Sequence, residues 1–345
     1  MKKLLSIGLA LTMVLSLVAC SGTPTKTETQ AQAETQAEAV AETTKATAKK
    51  VGVCIYKFDD AFMTTYRNAL QSMLEEMGYQ VSVMDGNNDQ SKQNEQIDTF
   101  ITQGVDALII NPVMTSSADV LISKVKAANI PTVLINREPT VEQMAEYNKL
   151  VYVGCDARQS GTMQGELILD TPNKGDINGD GIVKYVMIEG DPENVDAQYR
   201  TEFSVKALTD AGMKVEMLDD QQGMWDREKG QTIAANALAK FGDEIEVIFC
   251  NNDDMAIGAL QSINSAGRKV NENIYLVGVD ALDAAINEVL AGNMTGTVLN
   301  DAKGQASGAV KAMEDLLGGK TYQSGSQSIY VNYVKVTPEN AKNYQ

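Results

Sequence analysis

Ala107-Leu108-Ile109-Ile110-Asn111, then the stretch Ser116–Ala128, then Thr132-Val133-Leu134-Ile135-Asn136 hold the fold in small. Ala107 to Ile110 is apolar at four successive positions, so both faces of that segment are hidden. Strands read this way in a parallel sheet that helices cover on both sides. The stretch between the two segments repeats its apolar residues at three- and four-residue steps, the period of a helix. Strand, crossover helix and parallel strand form a right-handed unit.

The same alternation continues outward. Strand-like runs stand at Val51–Tyr56, Val81–Met84, Leu150–Cys155, Lys184–Ile188, Lys214–Leu218, Val247–Asn251, Tyr275–Val279 and Thr295–Leu299. Further helical stretches include Ala61–Met77, Ser91–Gln103 and Met255–Ala266. The pattern predicts an α/β fold of two doubly wound parallel-sheet lobes joined by a three-segment hinge. Residues 51–154 plus 301–335 form the first lobe, and 155–300 plus 336–345 the second. A helix over Asp301–Leu317 and one closing strand near Ser328–Val336 complete the chain. Crossings are expected near Tyr152–Cys155, at Asn300–Asp301 and around Val334–Thr337.

Ahead of this body, Lys2 and Lys3 precede an apolar run, Leu4 to Ala19, that ends in Leu17-Val18-Ala19-Cys20. A short positive region followed by an apolar core of this length reads as a secretory signal rather than a membrane span. The last four residues resemble a bacterial lipobox, which makes Cys20 the lipidated residue and 1–20 the signal peptide. Residues 21–50 are mostly Thr, Ala, Gln, Glu and Lys, too poor in large apolar groups to offset their ordering entropy. They read as a flexible tether between a lipid anchor and the body.

The chain carries a net charge of −17, against 29 basic residues, and has no histidine. The acidic balance excludes a nucleic-acid partner, which needs a basic face. Without histidine there is no Ser-His-Asp or Cys-His triad and no imidazole metal site. Cys54, Cys155 and Cys250 each sit in an apolar run without paired spacing, so they read as buried thiols rather than disulfides.

In open α/β sheets ligands bind at the carboxyl ends of the strands. Here strand after strand ends in Asp or Asn: Asp59-Asp60, Asn136-Arg137, Asp191 to Asp196, Asn251 to Asp254, Asp280, Asn300-Asp301. Some of these, Asp253 and Asp301 among them, read as helix caps. The remainder, with Arg200, suit a neutral polyhydroxylated ligand, whose hydroxyls each donate and accept. Phe62 and Trp225 are candidates for the apolar faces of a sugar ring.

At Tyr56-Lys57-Phe58-Asp59-Asp60, Asn87 to Asn94, Asn136-Arg137-Glu138-Pro139, Gly278-Val279-Asp280-Ala281-Leu282 and Gly296 to Ala302 the chain resembles the bacterial galactose/glucose-binding proteins. These are substrate-binding proteins of sugar ABC importers, of the periplasmic binding protein type I fold. The resemblance implies that Asp60 bonds the hydroxyl that separates galactose from glucose and that Phe62 and Trp225 sandwich the ring. It places the remaining polar contacts on Asn136, Asp196, Arg200, Asn252, Asp280 and Asn300. Asn194 stands where the family commonly has histidine, beside the sugar's hydroxymethyl group, which opens the site to differently substituted sugars. The resemblance further implies a monomer outside the cytoplasm, a monosaccharide ligand and an importer permease as partner.

Asp176-Ile177-Asn178-Gly179-Asp180-Gly181-Ile182 has oxygen donors at positions 1, 3 and 5 and glycine at position 6, as in the first half of an EF-hand calcium loop. The resemblance supplies Glu246 as the missing carboxylate and the Ile182 carbonyl as a further ligand. Position 9 is Lys184, which cannot coordinate a cation. The loop therefore reads either as a structural calcium site or as a metal-free Asp/Asn/Gly turn.

The function expected from all this is capture of galactose or glucose for an importer. The alternatives are presentation of the sugar to a chemoreceptor, or binding of another monosaccharide such as a pentose. No nucleophile motif or cofactor fingerprint suggests an enzyme.

Overall fold

The computed structural model describes residues 48–345. The expected signal peptide, Cys20 and the tether as far as residue 47 lie outside the described residues. The strands are β1 (Lys50–Ile55), β2 (Gln80–Asp85), β3 (Ala107–Ile110), β4 (Thr132–Ile135), β5 (Leu150–Gly154), β6 (Ile182–Glu189), β7 (Lys214–Gln222), β8 (Val247–Cys250), β9 (Tyr275–Val277), β10 (Thr297–Leu299), β11 (Ser328–Tyr330) and β12 (Val334–Val336). The helices that matter below are α1 (Ala61–Glu76), α2 (Ala157–Leu169), α3 (Val195–Asp210), α4 (Arg227–Phe241), α5 (Asp253–Ser265) and α6 (Ala302–Leu317).

The first sheet has the order β11-β5-β4-β3-β1-β2 and is parallel throughout. The second, β7-β6-β8-β9, is also parallel. A bridge from Val277 to Gly296 continues it toward β10, which pairs antiparallel with β12. Each sheet thus runs outward on both sides from its first strand, leaving a switch point where a ligand crevice forms. Ala107 to Ile110 and Val247 to Cys250 are buried at every position, as parallel central strands must be.

Two expectations at the edges are corrected. The fold begins earlier than residue 51: Lys50 pairs with Gln80, and the Lys49 carbonyl accepts from Gln80 N at 2.9 Å. The single closing strand over Ser328–Val336 is two strands, β11 in the first sheet and β12 against β10 in the second. The third crossing is therefore Val331 to Tyr333, ahead of the expected position. A three-residue break between two short strands leaves no mark in an apolar pattern.

Close helix contact in the second lobe depends on α2. A Cβ on Gly161 or Gly165 would meet the backbone of α3 at Tyr199 and Ser204. Both positions need glycine because two helix backbones approach there.

Candidate functional site

Asn111 and Asn251, each following a central strand, build the two crevices in the same way. Asn111 Oδ1 accepts from Tyr56 N at 3.3 Å, and Asn251 Oδ1 accepts from Gly190 N at 2.9 Å. Each buried amide pins the chain just after the neighbouring strand, where the ligand-facing segment begins.

From those pinned segments the functional side chains converge. One cavity of about 320 Å3, counted out to its mouth, is lined by Asp60, Phe62, Asn136, Asn194, Asp196, Arg200, Trp225, Asn252, Asp280 and Asn300. All ten residues expected from the sequence meet there, together with Tyr56, Met63 and Arg137.

Several of these residues cap helices as well. Asp60 caps α1, accepting from Met63 N at 2.7 Å, while its other oxygen accepts from the Tyr56 hydroxyl at 2.5 Å. Asn194 caps α3 by accepting from Asp196 N, which leaves its amide N–H groups and one oxygen lone pair unused. Asn252 caps α5 by accepting from Met255 N. Capping and ligand contact were alternatives in the sequence; at these positions the capping side chain also lines the cavity.

Asp253, expected as a cap, is not one. It is the first residue inside α5, fully buried, and accepts from Thr297 Oγ1 at 2.6 Å and Leu282 N at 2.9 Å. It ties the loop after β9 to β10. Burial pushes its carboxyl up to about 7. Asp301 does cap, accepting from Gly304 N.

Arg200 is the electrostatic centre of the second lobe. It donates to the Asn251 carbonyl at 2.8 Å and to the Tyr333 hydroxyl at 3.1 Å, with Asp196 at 3.8 Å and Asp280 at 4.0 Å. Burial alone would lower its pKa, but Tyr333, Asp280 and Asp196 outweigh burial and hold it above the ordinary value. Burial raises Asp196 to about 6 against the pull of Arg200. Burial also lifts Asp280 well above the carboxylate range, with Arg200 opposing and Asp253 adding to the rise. Among the described residues Arg200 Nε is a buried donor without a partner.

Backbone strain gathers at the same place. Asn136 has φ 63°, Trp225 φ 64° and Asp280 φ 120°. Asn tolerates the left-handed region, whereas Asp280 and Trp225 must be held there. Asp280 is held by its N–H on the Val298 carbonyl at 2.8 Å and by Asn300 Nδ2 on Oδ1 at 3.1 Å. The Trp225 ring lies against Gly190, where any Cβ would collide with it.

Arg137 is the residue that sequence reasoning missed. It is fully buried, stacks 4.0 Å over the Tyr56 ring, donates to the Val113 carbonyl, and pairs with Asp191 of the other lobe at 3.0 Å. Thr115 and Ser116 also reach across, to the carbonyl and carboxylate of Glu193. Asn136-Arg137 stood in view as a strand end, but nothing in the sequence says which acid an arginine faces 54 residues away.

The model of a periplasmic binding protein domain matches residues 51–321. The chain belongs to that family. It is 34% identical over 306 residues to the D-galactose/methyl-galactoside binding periplasmic protein MglB of Haemophilus influenzae, covering 86% of this chain and 91% of the relative. It is 28% identical over 327 residues to the ribose import binding protein RbsB of Bacillus subtilis, covering 94% and 96%. A solved ABC transporter solute binding protein from Bacillus halodurans with bound myo-inositol superposes with a TM-score of 0.75 at 29% identity, covering 86% and 96%. These relatives are solute-binding proteins rather than enzymes, and the chain shares their fold of parallel sheets in two lobes.

The candidate calcium residues also come together, though in another part of the second lobe. Asp176 accepts from Gly179 N and Gly181 N, Asn178 from Asp180 N, and Asp180 from Ile182 N. Glu246, buried, accepts from Asn178 N and Lys184 N, each at 2.9 Å. Lys184 Nζ lies 3.2 Å from Asp180 Oδ2. An EF-hand loop keeps bonds of the backbone kind around its ion, but an ammonium group at position 9 brings a positive charge to the donor set. As it stands, the set does not fit a divalent cation.

Proposed function

We propose that this protein captures a monosaccharide, galactose or glucose, and delivers it to an importer permease. The observation that carries the reading is the lining of one cavity by Asp60, Asn136, Asp196, Arg200, Asn252, Asp280 and Asn300, with Phe62 and Trp225 contributed by opposite lobes. Planar carboxylate, amide and guanidinium groups satisfy hydroxyls from several directions. The rings of Phe62 and Trp225 give the C–H faces apolar partners. Micromolar affinity, about 8 kcal/mol, is within reach of such a set.

A second reading is favoured by Asn194. It is short, and its oxygen already accepts one bond in the α3 cap. A ring without a hydroxymethyl arm, such as the myo-inositol bound by the Bacillus halodurans relative, asks less of that end of the cavity. Calorimetric titration with galactose, glucose, ribose and myo-inositol separates the readings. Saturable heat with an aldohexose supports the first, and heat with myo-inositol or ribose alone replaces it.

The localisation proposed with this function is outside the cytoplasm, tethered by lipid on Cys20, with the protein acting as a monomer. Presentation of the closed, sugar-loaded form to a chemoreceptor uses the same geometry. Labelling with a radioactive fatty acid, lost in Cys20→Ala, tests the anchor.

A further inference from the structure

The loop at Asp176–Ile182 carries its own cation. We propose that the Lys184 ammonium takes the electrostatic part that a divalent ion would play there, so that the second lobe folds and captures its ligand without calcium. Four observations support this. The loop spacing places Asp176, Asn178 and Asp180 at positions 1, 3 and 5 of a calcium loop and Lys184 at position 9. Lys184 turns back onto the loop and pairs with Asp180 across four residues at 3.2 Å. Six backbone N–H groups, of Asn178, Gly179, Asp180, Gly181, Ile182 and Lys184, already donate to the loop's side-chain oxygens and to Glu246. Position 12 is Met187, buried in the core of β6, so the loop itself has no bidentate carboxylate.

The energetics follow from charge. A calcium loop gathers several carboxylates whose mutual repulsion the ion cancels. Here the backbone donors and the Lys184 charge do that work without dehydrating a metal. The Lys184 stem is anchored in β6, between residues that pair with β7 and β8. The ammonium is therefore delivered by the sheet rather than by the loop.

Thermal unfolding of the full chain in chelator and in millimolar calcium tests the proposal. A calcium site filled a hundredfold above its dissociation constant lifts the melting temperature by roughly 5 °C. The expected result is no shift in the native protein, and a calcium-dependent rise in Lys184→Gln, whose amide oxygen can face the ion. A rise in the native protein overturns the proposal, as does a folded Lys184→Gln that stays indifferent to calcium. Should Lys184→Gln not fold, calorimetric titration of the native chain with calcium decides. Absence of heat supports the internal ammonium, and a saturable one-to-one isotherm overturns it.

Discussion

Arg137 Nη2 lies 3.0 Å from Asp191 Oδ2, and the two residues belong to different lobes. Arg137 is fully buried in this arrangement, with its guanidinium on the Tyr56 ring, and Tyr56 in turn donates to Asp60. The pair therefore joins lobe closure to the wall of the ligand cavity. Removing one partner of a buried pair leaves the other charge uncompensated.

Asp191→Asn should weaken sugar binding at least tenfold, mainly through faster release. Asp191 does not line the cavity, so the loss reflects a less stable closed form rather than a missing ligand contact. Stopped-flow binding checks this: an unchanged off-rate with a slower on-rate contradicts the latch.

Asp280→Ala and Arg200→Ala should each cost about 2 kcal/mol or more in binding, since each strands buried polar groups that face the cavity. Arg200→Ala also frees Tyr333 and the Asn251 carbonyl, so its melting temperature should fall further than that of Asp280→Ala. Titration calorimetry paired with thermal scans measures both, and wild-type affinity in either variant removes that residue from the site.

Stability should decline as pH rises from about 4 to 7. The folded values of Asp196, about 6, and Asp253, about 7, exceed the unfolded value near 4. In that window the native state holds protons the unfolded chain has released, so stability present at low pH is lost as pH rises through the folded values. Asp253→Asn should flatten the profile. Melting scans across pH in both proteins test it, and parallel slopes would exclude Asp253 as the source.

Gly190→Ala should displace the Trp225 ring, because the new methyl occupies the ring's position. Sugar affinity should drop at least tenfold, with a blue-to-red change in the emission of the single tryptophan. In the native protein the same emission should respond to sugar, along with a smaller radius of gyration, as the lobes close. Fluorescence and small-angle scattering with and without sugar provide the comparison; a Gly190→Ala protein with native emission and affinity refutes the contact.

Much of the fold was legible because buried parallel strands are apolar on both faces, as at Ala107 to Ile110, and because the polar residues that end them break that run abruptly. Of the ten cavity residues, Asp60, Asn136, Asn252, Asp280 and Asn300 stand where strands stop, whereas Arg200 lies inside α3 and was named through the family resemblance. The division between caps and ligands was not legible. Asp60, Asn194 and Asn252 cap and face the cavity together, whereas Asp253 does neither and ties α5 to β10 instead. An Asp or Asn at the start of a helix looks the same in all these cases, since capping depends on one φ/ψ pair and not on residue type alone.

Taken alone, the sequence determined two doubly wound lobes, the strand ends that supply the cavity and the oxygen-rich loop at Asp176–Ile182, because periodicity and residue chemistry are local properties. Only the tertiary structure decided that Arg137 meets Asp191, that β11 and β12 part company between the lobes, that Asp253 is a buried tie, and that Lys184 reaches Asp180. Each of these depends on groups far apart in the chain or on a side-chain direction, and burial and electrostatics act through distance in space, which sequence spacing does not record.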